Sequence, residues 1–133
     1  MNLVKPRRRP RHIEESLQTT CVQWFRLRYP GRLIFAIPNG GKRNVLEAVR
    51  LKAQGVLAGI PDLFIPEPFR GRPGLWVEMK REDGRPTKHQ RGMIEVLRAK
   101  GYHVEVCKTF DEFRGVVERY FRGSVEQYFG GEA

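Results

Sequence analysis

Cysteine is scarce in this sequence, and long apolar runs are missing from it. Only Cys21 and Cys107 occur among 133 residues, and the patterns around them predict a helix and a strand. A disulfide scaffold or a cysteine-based zinc site is therefore not expected, and we expect both side chains to be buried as small apolar groups. No apolar run is long enough to span a bilayer, and the basic N-terminus lacks the apolar stretch of a secretory signal. These absences favour one soluble domain in a reducing cytoplasm.

Acidic residues are also few, at 15 against 25 lysines and arginines, which gives a formal net charge of +10 at pH 7. Cations placed near phosphates release condensed counterions, so nucleic acid is the favoured partner, although anionic membranes would attract the same charge. Residues 1–12 are predicted to form a flexible basic arm. Its basic residues are Lys5, Arg7, Arg8, Arg9 and Arg11. The arm either lies along a phosphate backbone or only solubilises the chain, and both interpretations stay open.

The pattern of apolar residues, caps and turns predicts alternating helices and strands. Helices are expected at 13–29, at 45–54, after the capping box of Thr87 and Gln90, and after the cap formed by Thr109 and Glu112. Strands are expected at 33–37, 60–65, 75–80 and 102–107. The fold class is therefore α/β, with a mixed central sheet flanked by helices, in one domain over residues 13–122 followed by a tail at 123–133.

Three polar residues stand where strands would otherwise be apolar. Asp62 precedes Leu63-Phe64-Ile65, and Glu78 and Lys80 share one face of the next strand, because side chains two apart point the same way. Two carboxylates on neighbouring strands repel each other unless a cation lies between them, and Mg²⁺ is commonly held by such carboxylates. Glu and Lys on an exposed strand face are also common without function. The spacing alone therefore leaves open whether these residues form a metal site or an ordinary solvated surface.

An ordered set of motifs extends this triplet. The set consists of Gly59-Ile60-Pro61-Asp62-Leu63, then Glu78-Met79-Lys80, then Gln90. It resembles the PD-(D/E)xK nuclease superfamily, and more specifically its VRR-NUC (virus-type replication-repair nuclease) branch. The resemblance takes in the Ile37-Pro38-Asn39-Gly40-Gly41 turn, the Leu51-Lys52-Ala53-Gln54-Gly55 segment, and a first-helix glutamate followed by Gln18. It covers roughly residues 13–110 and implies a restriction-endonuclease-like core.

The resemblance also implies roles for individual residues. Asp62 and Glu78 would bind a divalent metal, Mg²⁺ or Mn²⁺, with the backbone carbonyl of Met79 as a further ligand. Lys80 would be the catalytic lysine. Gln90 would contact the site or support the lysine, while its alternative is the capping box, and the two roles are compatible.

The first-helix acid is either Glu14 or Glu15. Glu14 is favoured because it lies four residues before Gln18 and so shares its helix face. The alternative for either acid is a favourable charge in the first turn of a helix.

Contacts to DNA phosphates are expected near the site, with ordinary solvated surface or turn roles as the alternative. The candidates are Asn39, Lys42, Arg43, Lys88 and Arg91. His12, His89 and His103 lack the spacing of metal ligands, and no catalytic role is expected for them.

The implied activity is metal-dependent hydrolysis of DNA phosphodiester bonds. Stand-alone members of this branch resemble junction-resolving enzymes of bacterial cells or phage-infected hosts, and symmetric cutting of a four-way junction needs two active sites. A homodimer acting on branched DNA is therefore expected. The alternatives are a flap or general nicking nuclease, a non-catalytic DNA-binding accessory protein, and an RNA-binding or packaging module.

Overall fold

The part of the chain that the structure describes forms four helices and four strands in the predicted order. The computed structural model describes the backbone of residues 10–38 and 44–124, and the side chains of residues 15–38 and 44–124. The elements are α1 (Pro10–Arg28), β1 (Phe35–Ala36), α2 (Val45–Ala53), β2 (Leu63–Ile65), β3 (Leu75–Met79), α3 (Lys88–Ala99), β4 (His103–Cys107) and α4 (Phe110–Tyr120).

The boundaries differ from the sequence expectation at several elements. Helix α1 begins at Pro10 instead of residue 13, so the last three residues assigned to the basic arm are helical. Proline suits the first turn of a helix because its missing N–H would have no partner there. Strand β2 starts at Leu63 and not at residue 60, since Pro61 offers no N–H to a neighbouring strand.

The sheet is mixed, with the strand order β1-β2-β3-β4. Strands β1 and β2 pair antiparallel, as do β2 and β3, whereas β3 and β4 run parallel. A parallel pair needs a crossover connection, which α3 provides. The central β2–β3 hairpin is therefore bordered by the two-residue edge strand β1 on one side and by β4 on the other.

Helices cover both faces of this sheet, as the alternation along β3 predicts. Leu75, Val77 and Met79 are buried in the main core, which α1 and α4 complete. Trp76 points to the other face and packs in a second cluster with Ile94 of α3. The predicted α/β class with a mixed sheet between helices is confirmed, and the two faces of β3 serve different layers.

The two cysteines behave as the sequence predicts. Both Cys21 and Cys107 are buried free thiols in the main core. Burial raises the pKa of each thiol to about 12, and at Cys107 the nearby Glu105 carboxylate adds to the effect. No helix within residues 10–38 and 44–124 is long and apolar enough to cross a membrane.

Candidate active site

The start of β2 and the end of β3 bring two acidic residues side by side. Leu63 pairs with Val77, and the same antiparallel register carried one residue further places Asp62 next to Glu78. The backbone N–H of Met79 donates to Asp62 Oδ2 at 2.8 Å, and the Asp62 carbonyl accepts from the N–H of Ile37 at 2.8 Å. Asp62 is thus fixed between β1 and β3, and the hairpin register sets the spacing of the acids.

Glu78 is a buried charge, with only 2% of its surface exposed. Its Oε2 lies 3.3 Å from the ammonium nitrogen of Lys80, which projects from the same face of the sheet two residues later. A buried carboxylate is costly unless cations or hydrogen-bond donors face it. The pairing predicted from strand alternation is therefore present, and Asp62, Glu78 and Lys80 meet at one end of the hairpin.

The donor set at this point consists of carboxylates and backbone carbonyls. Within the described part of the chain, no three His, Cys, Asp or Glu side chains converge as a metal-binding group. Asp62, Glu78 and the Met79 carbonyl would leave several positions for water and substrate oxygens, which suits Mg²⁺. The nitrogen and sulfur ligands that structural zinc requires are not part of this set. The residues fit Mg²⁺ or Mn²⁺ better than a closed zinc site.

The loop that precedes Asp62 is locked to the first turn of α3. Gly59 has a left-handed backbone with φ +84°, and a Cβ added there would lie 2.7 Å from Cδ2 of His89. The His89 Nε2 lies 3.1 Å from the carbonyl oxygen of Ala58. His89 therefore packs against the loop that carries Asp62. The sequence shows the glycine but not this contact, which joins segments about thirty residues apart.

Gln90 takes part in the capping box at the start of α3. Its backbone N–H donates to Thr87 Oγ1 at 3.1 Å, and its side-chain oxygen accepts from the N–H of Thr87 at 2.9 Å. The structural alternative named for Gln90 is thus confirmed. The side-chain oxygen of Gln90 is therefore engaged in capping, and its amide nitrogen takes no part in the capping box.

The candidate DNA-contacting residues fall into two groups. Lys88 and Arg91 are exposed on the first turns of α3, and Arg91 donates to the carbonyl of Pro86 at 2.9 Å. Asn39, Lys42 and Arg43 lie outside the described residues, and so does the side chain of Glu14. The other first-helix acid, Glu15, is exposed.

The fold is that of an α/β protein with helices on both faces of a mixed sheet. Its candidate site consists of two acids and a lysine at one end of the central hairpin. A family model for the VRR-NUC domain matches residues 5–111, and the chain belongs to this family. The family predicted from the sequence is confirmed. Membership gives the protein a nuclease-type function.

Solved structures carry the same fold. One, described as a VRR_NUC domain protein, is 28% identical with a TM-score of 0.69, over 82% of this chain and 88% of that one. Another, described as a VRR_NUC domain, is 26% identical with a TM-score of 0.56, over 80% of this chain and 96% of that one. No curated protein matches the chain at the threshold applied.

Proposed function

We propose that this protein is a metal-dependent DNA endonuclease. The observation that carries the proposal is the buried Glu78 carboxylate, which lies beside Asp62 in the hairpin register and 3.3 Å from the Lys80 ammonium. A merely structural ion pair would not need a second acid fixed by a backbone N–H at its side. The net charge of +10 supports a polyanionic substrate.

The residues of the chain divide the work of phosphodiester hydrolysis. Asp62, Glu78 and the Met79 carbonyl would hold the divalent cation, which when bound would supply positive charge to activate water and to stabilise charge on the phosphoryl oxygens. Lys80 orients the attacking water and adds its own positive charge beside the scissile phosphate. The water oxygen bonds to phosphorus and releases its proton to solvent, while the bond to the leaving sugar oxygen breaks. The leaving oxygen takes the electron pair and gains a proton from solvent. Lys88 and Arg91 hold neighbouring phosphates.

Cleavage assays test the site. Labelled linear and branched DNA is incubated with Mg²⁺, with Mn²⁺ and with EDTA, using the native protein, Glu78→Gln and Lys80→Ala. The matched control is Glu95→Gln, which removes the same charge from an exposed position on α3. We expect EDTA and both site variants to abolish cutting, while the control cuts normally. Undiminished cutting by both site variants would refute the assignment, and binding without any cutting would identify a non-catalytic accessory protein.

Thermal unfolding tests the cation site without relying on activity. A ligand that binds only the folded state stabilises it, by about 2.7 kcal/mol at a hundred times its dissociation constant. We expect Mg²⁺ to raise the melting temperature of the native protein and of Glu95→Gln. Glu78→Gln should show no such rise, because it removes one of the two carboxylates. An equal rise in Glu78→Gln would place the cation elsewhere.

We further propose that the substrate is branched DNA and that the protein acts as a homodimer. Helix α2 has no buried residue in the single chain, and its apolar Val45 and Leu46 are 78% and 81% exposed. Edge strand β1 beside β2 also leaves Phe35 partly exposed. Apolar surface of this kind typically meets another protein, and a twofold pair covers it with one self-complementary patch.

Two active sites in one dimer suit paired incisions across a junction. Light scattering should give a dimer for the native protein and a monomer for Leu46→Lys. The control is Ala48→Lys, which adds the same charge at an exposed position on another side of the same helix. The monomeric variant should lose paired cutting of a four-way junction. A native protein that stays monomeric with and without a junction would overturn the dimer, and would favour flap cleavage or general nicking instead.

A further inference from the structure

A cavity rich in arginine lies away from the acidic site. A cavity of about 420 Å³ opens between the tip of the β2–β3 hairpin, the start of β4 and the outer face of α4. Its polar and aromatic lining includes Phe69, Arg70, Arg72, His103, Arg119 and Tyr120. The volume falls in the range of pockets that hold small molecules or parts of larger ones.

The chemistry of this lining selects anions. Three arginines face one carboxylate, Glu105, whose Oε2 is already paired with His103 Nε2 at 2.8 Å. Guanidinium groups match the oxygens of phosphate with two parallel hydrogen bonds, and they remain charged at any physiological pH. Tyr120 contributes mainly its ring, since its hydroxyl donates to the carbonyl of Glu67 at 2.8 Å.

Arg70 occupies a backbone position that normally takes another residue. Phe69 and Arg72 exchange both backbone hydrogen bonds across a two-residue turn, and Arg70 in that turn has φ +52°. Among the described residues it is the only non-glycine with a left-handed backbone. Asn and Gly are the usual residues there. The guanidinium of Arg70 lies 5.1 Å from the centre of the Phe69 ring and donates to the carbonyl of Arg122.

The side chain of Arg119 has room because a glycine lies beside it in α4. Gly115 stands in the interior of α4, where glycine weakens a helix relative to alanine. A Cβ at Gly115 would come within 3.1 Å of Arg119 Nη1, so the glycine leaves room for the guanidinium to lie along the helix. Each of these two arginines thus depends on a locally unfavourable position, and a left-handed backbone like that of Arg70 is typical of functional sites.

The cavity and the acidic site are separated in two ways. His103 pairs with Leu75 at the start of β3, whereas Glu78 lies three residues further along, which is about 10 Å on a strand. His103 and Glu105 also point to the α4 side of the sheet, while Trp76 and Glu78 point to the α3 side. The cavity therefore opens on the opposite side of the sheet from Glu78.

We propose that this cavity is a second phosphate-binding site, which holds a phosphodiester of a separate arm of a nucleic-acid substrate. Arg70, Arg72 and Arg119 bind the phosphate oxygens, and Phe69 provides an apolar wall beside them. Taking nucleic acid as the source of the phosphate rests on the proposed function. The binding of phosphate itself does not, so the two ideas fail separately.

Direct titration tests the site whether or not the protein cuts DNA. The chain has three histidines, so the ring signals of His103 can be resolved by NMR. Inorganic phosphate, thymidine 5′-monophosphate and a short single-stranded oligonucleotide are added in turn. We expect saturable shifts at His103 in the native protein and in Arg114→Gln. The Arg70→Gly, Arg119→Gln double variant should lose at least ten-fold in affinity. Equal affinity in the double variant, or an equal loss in Arg114→Gln, would overturn the site.

These variants are chosen to keep the fold. Glycine suits the left-handed backbone at Arg70, and Arg119 is exposed, so both changes remove charge without disturbing the core. Arg114 lies on the same helix outside the cavity and loses the same charge.

Salt dependence identifies the source of the phosphate. Each phosphate contact contributes about 0.9 to the slope of log affinity against log salt concentration on duplex DNA. We expect the double variant to lower that slope by about 1 on a four-way junction and to leave it unchanged on a short linear duplex. The control should change neither slope. Loss of mononucleotide binding with an unaltered junction slope would assign the site to free nucleotides and refute the nucleic-acid source.

Discussion

Gly59→Ala should weaken both the fold and the active site, for reasons that can be separated. Alanine at φ +84° costs about 1–2 kcal/mol because a left-handed backbone brings Cβ close to the next carbonyl. The new Cβ would also lie 2.7 Å from the His89 ring, and overpacking of this kind costs about 1–3 kcal/mol. The combined loss in free energy of unfolding is then about 2–5 kcal/mol.

Further variants separate the cost of the left-handed backbone from the cost of the close contact with His89. Gly101 has φ +98° and only an ordinary contact, 3.9 Å to Pro73, so Gly101→Ala should show the backbone term alone. In a His89→Ala background the ring contact is absent and the 3.3 Å approach to the His89 carbonyl oxygen remains, so Gly59→Ala should cost less than in the native background, closer to about 1–2 kcal/mol. Urea denaturation of the native protein, Gly59→Ala, His89→Ala and the double variant gives the coupling free energy between positions 59 and 89 directly.

Activity should follow the same order. Asp62 lies three residues after Gly59, so displacement of the loop moves one of the two acids, and cleavage should fall in Gly59→Ala more than in Gly101→Ala. Removing the His89 ring should restore part of that loss. If Gly59→Ala costs the same with and without the His89 ring, the close contact does not exist in solution and the reasoning is refuted.

Three other predictions concern stability and reactivity. Gly92→Ala in α3 should stabilise the protein by about 0.5–1 kcal/mol, because nothing lies within 4 Å of the added Cβ; a lower denaturation midpoint would contradict this. Thr87→Ala should cost about 1 kcal/mol and lower cleavage by releasing Gln90, whereas Thr87→Ser should retain both. Cys21 and Cys107 should not react with a thiol reagent in the native protein at pH 8, and both should react once it is unfolded. Since burial raises their pKa from 9.0 to about 12, this contribution to stability is complete below pH 9 and lost as the pH rises toward 12, which unfolding midpoints against pH will show.

Local patterns in the sequence predicted the elements and the central triplet. The capping box of Thr87 and Gln90 depends on residues three apart, and the shared face of Glu78 and Lys80 depends on residues two apart. Such signals need no knowledge of the rest of the chain. The near-complete burial of Glu78, at 2% exposed, was not predicted, because it depends on how segments distant in the sequence pack around the strand.

Contacts between distant segments explain what the sequence did not reveal. The hydrogen bond from the Met79 N–H that fixes Asp62 is not visible in the sequence, because it joins residues seventeen apart across two strands. The packing of His89 against Gly59 and the convergence of arginines from a hairpin tip and a helix both require the folded topology. The apolar pattern of α2 was predicted correctly as a helix, yet the pattern alone does not say whether a core or another molecule covers it.

The central hairpin has one further consequence, for how this chain can change over evolution. The connection between β2 and β3, residues 66–74, lies at the end opposite to Asp62 and Glu78, whose spacing depends only on the register of the paired strands. Insertions or exchanges in that connection can therefore reshape the far end of the molecule without moving the two acids. If the two proposed sites hold, substrate preference and chemistry lie at separate ends of a single supersecondary unit, and each can diverge while the other is conserved.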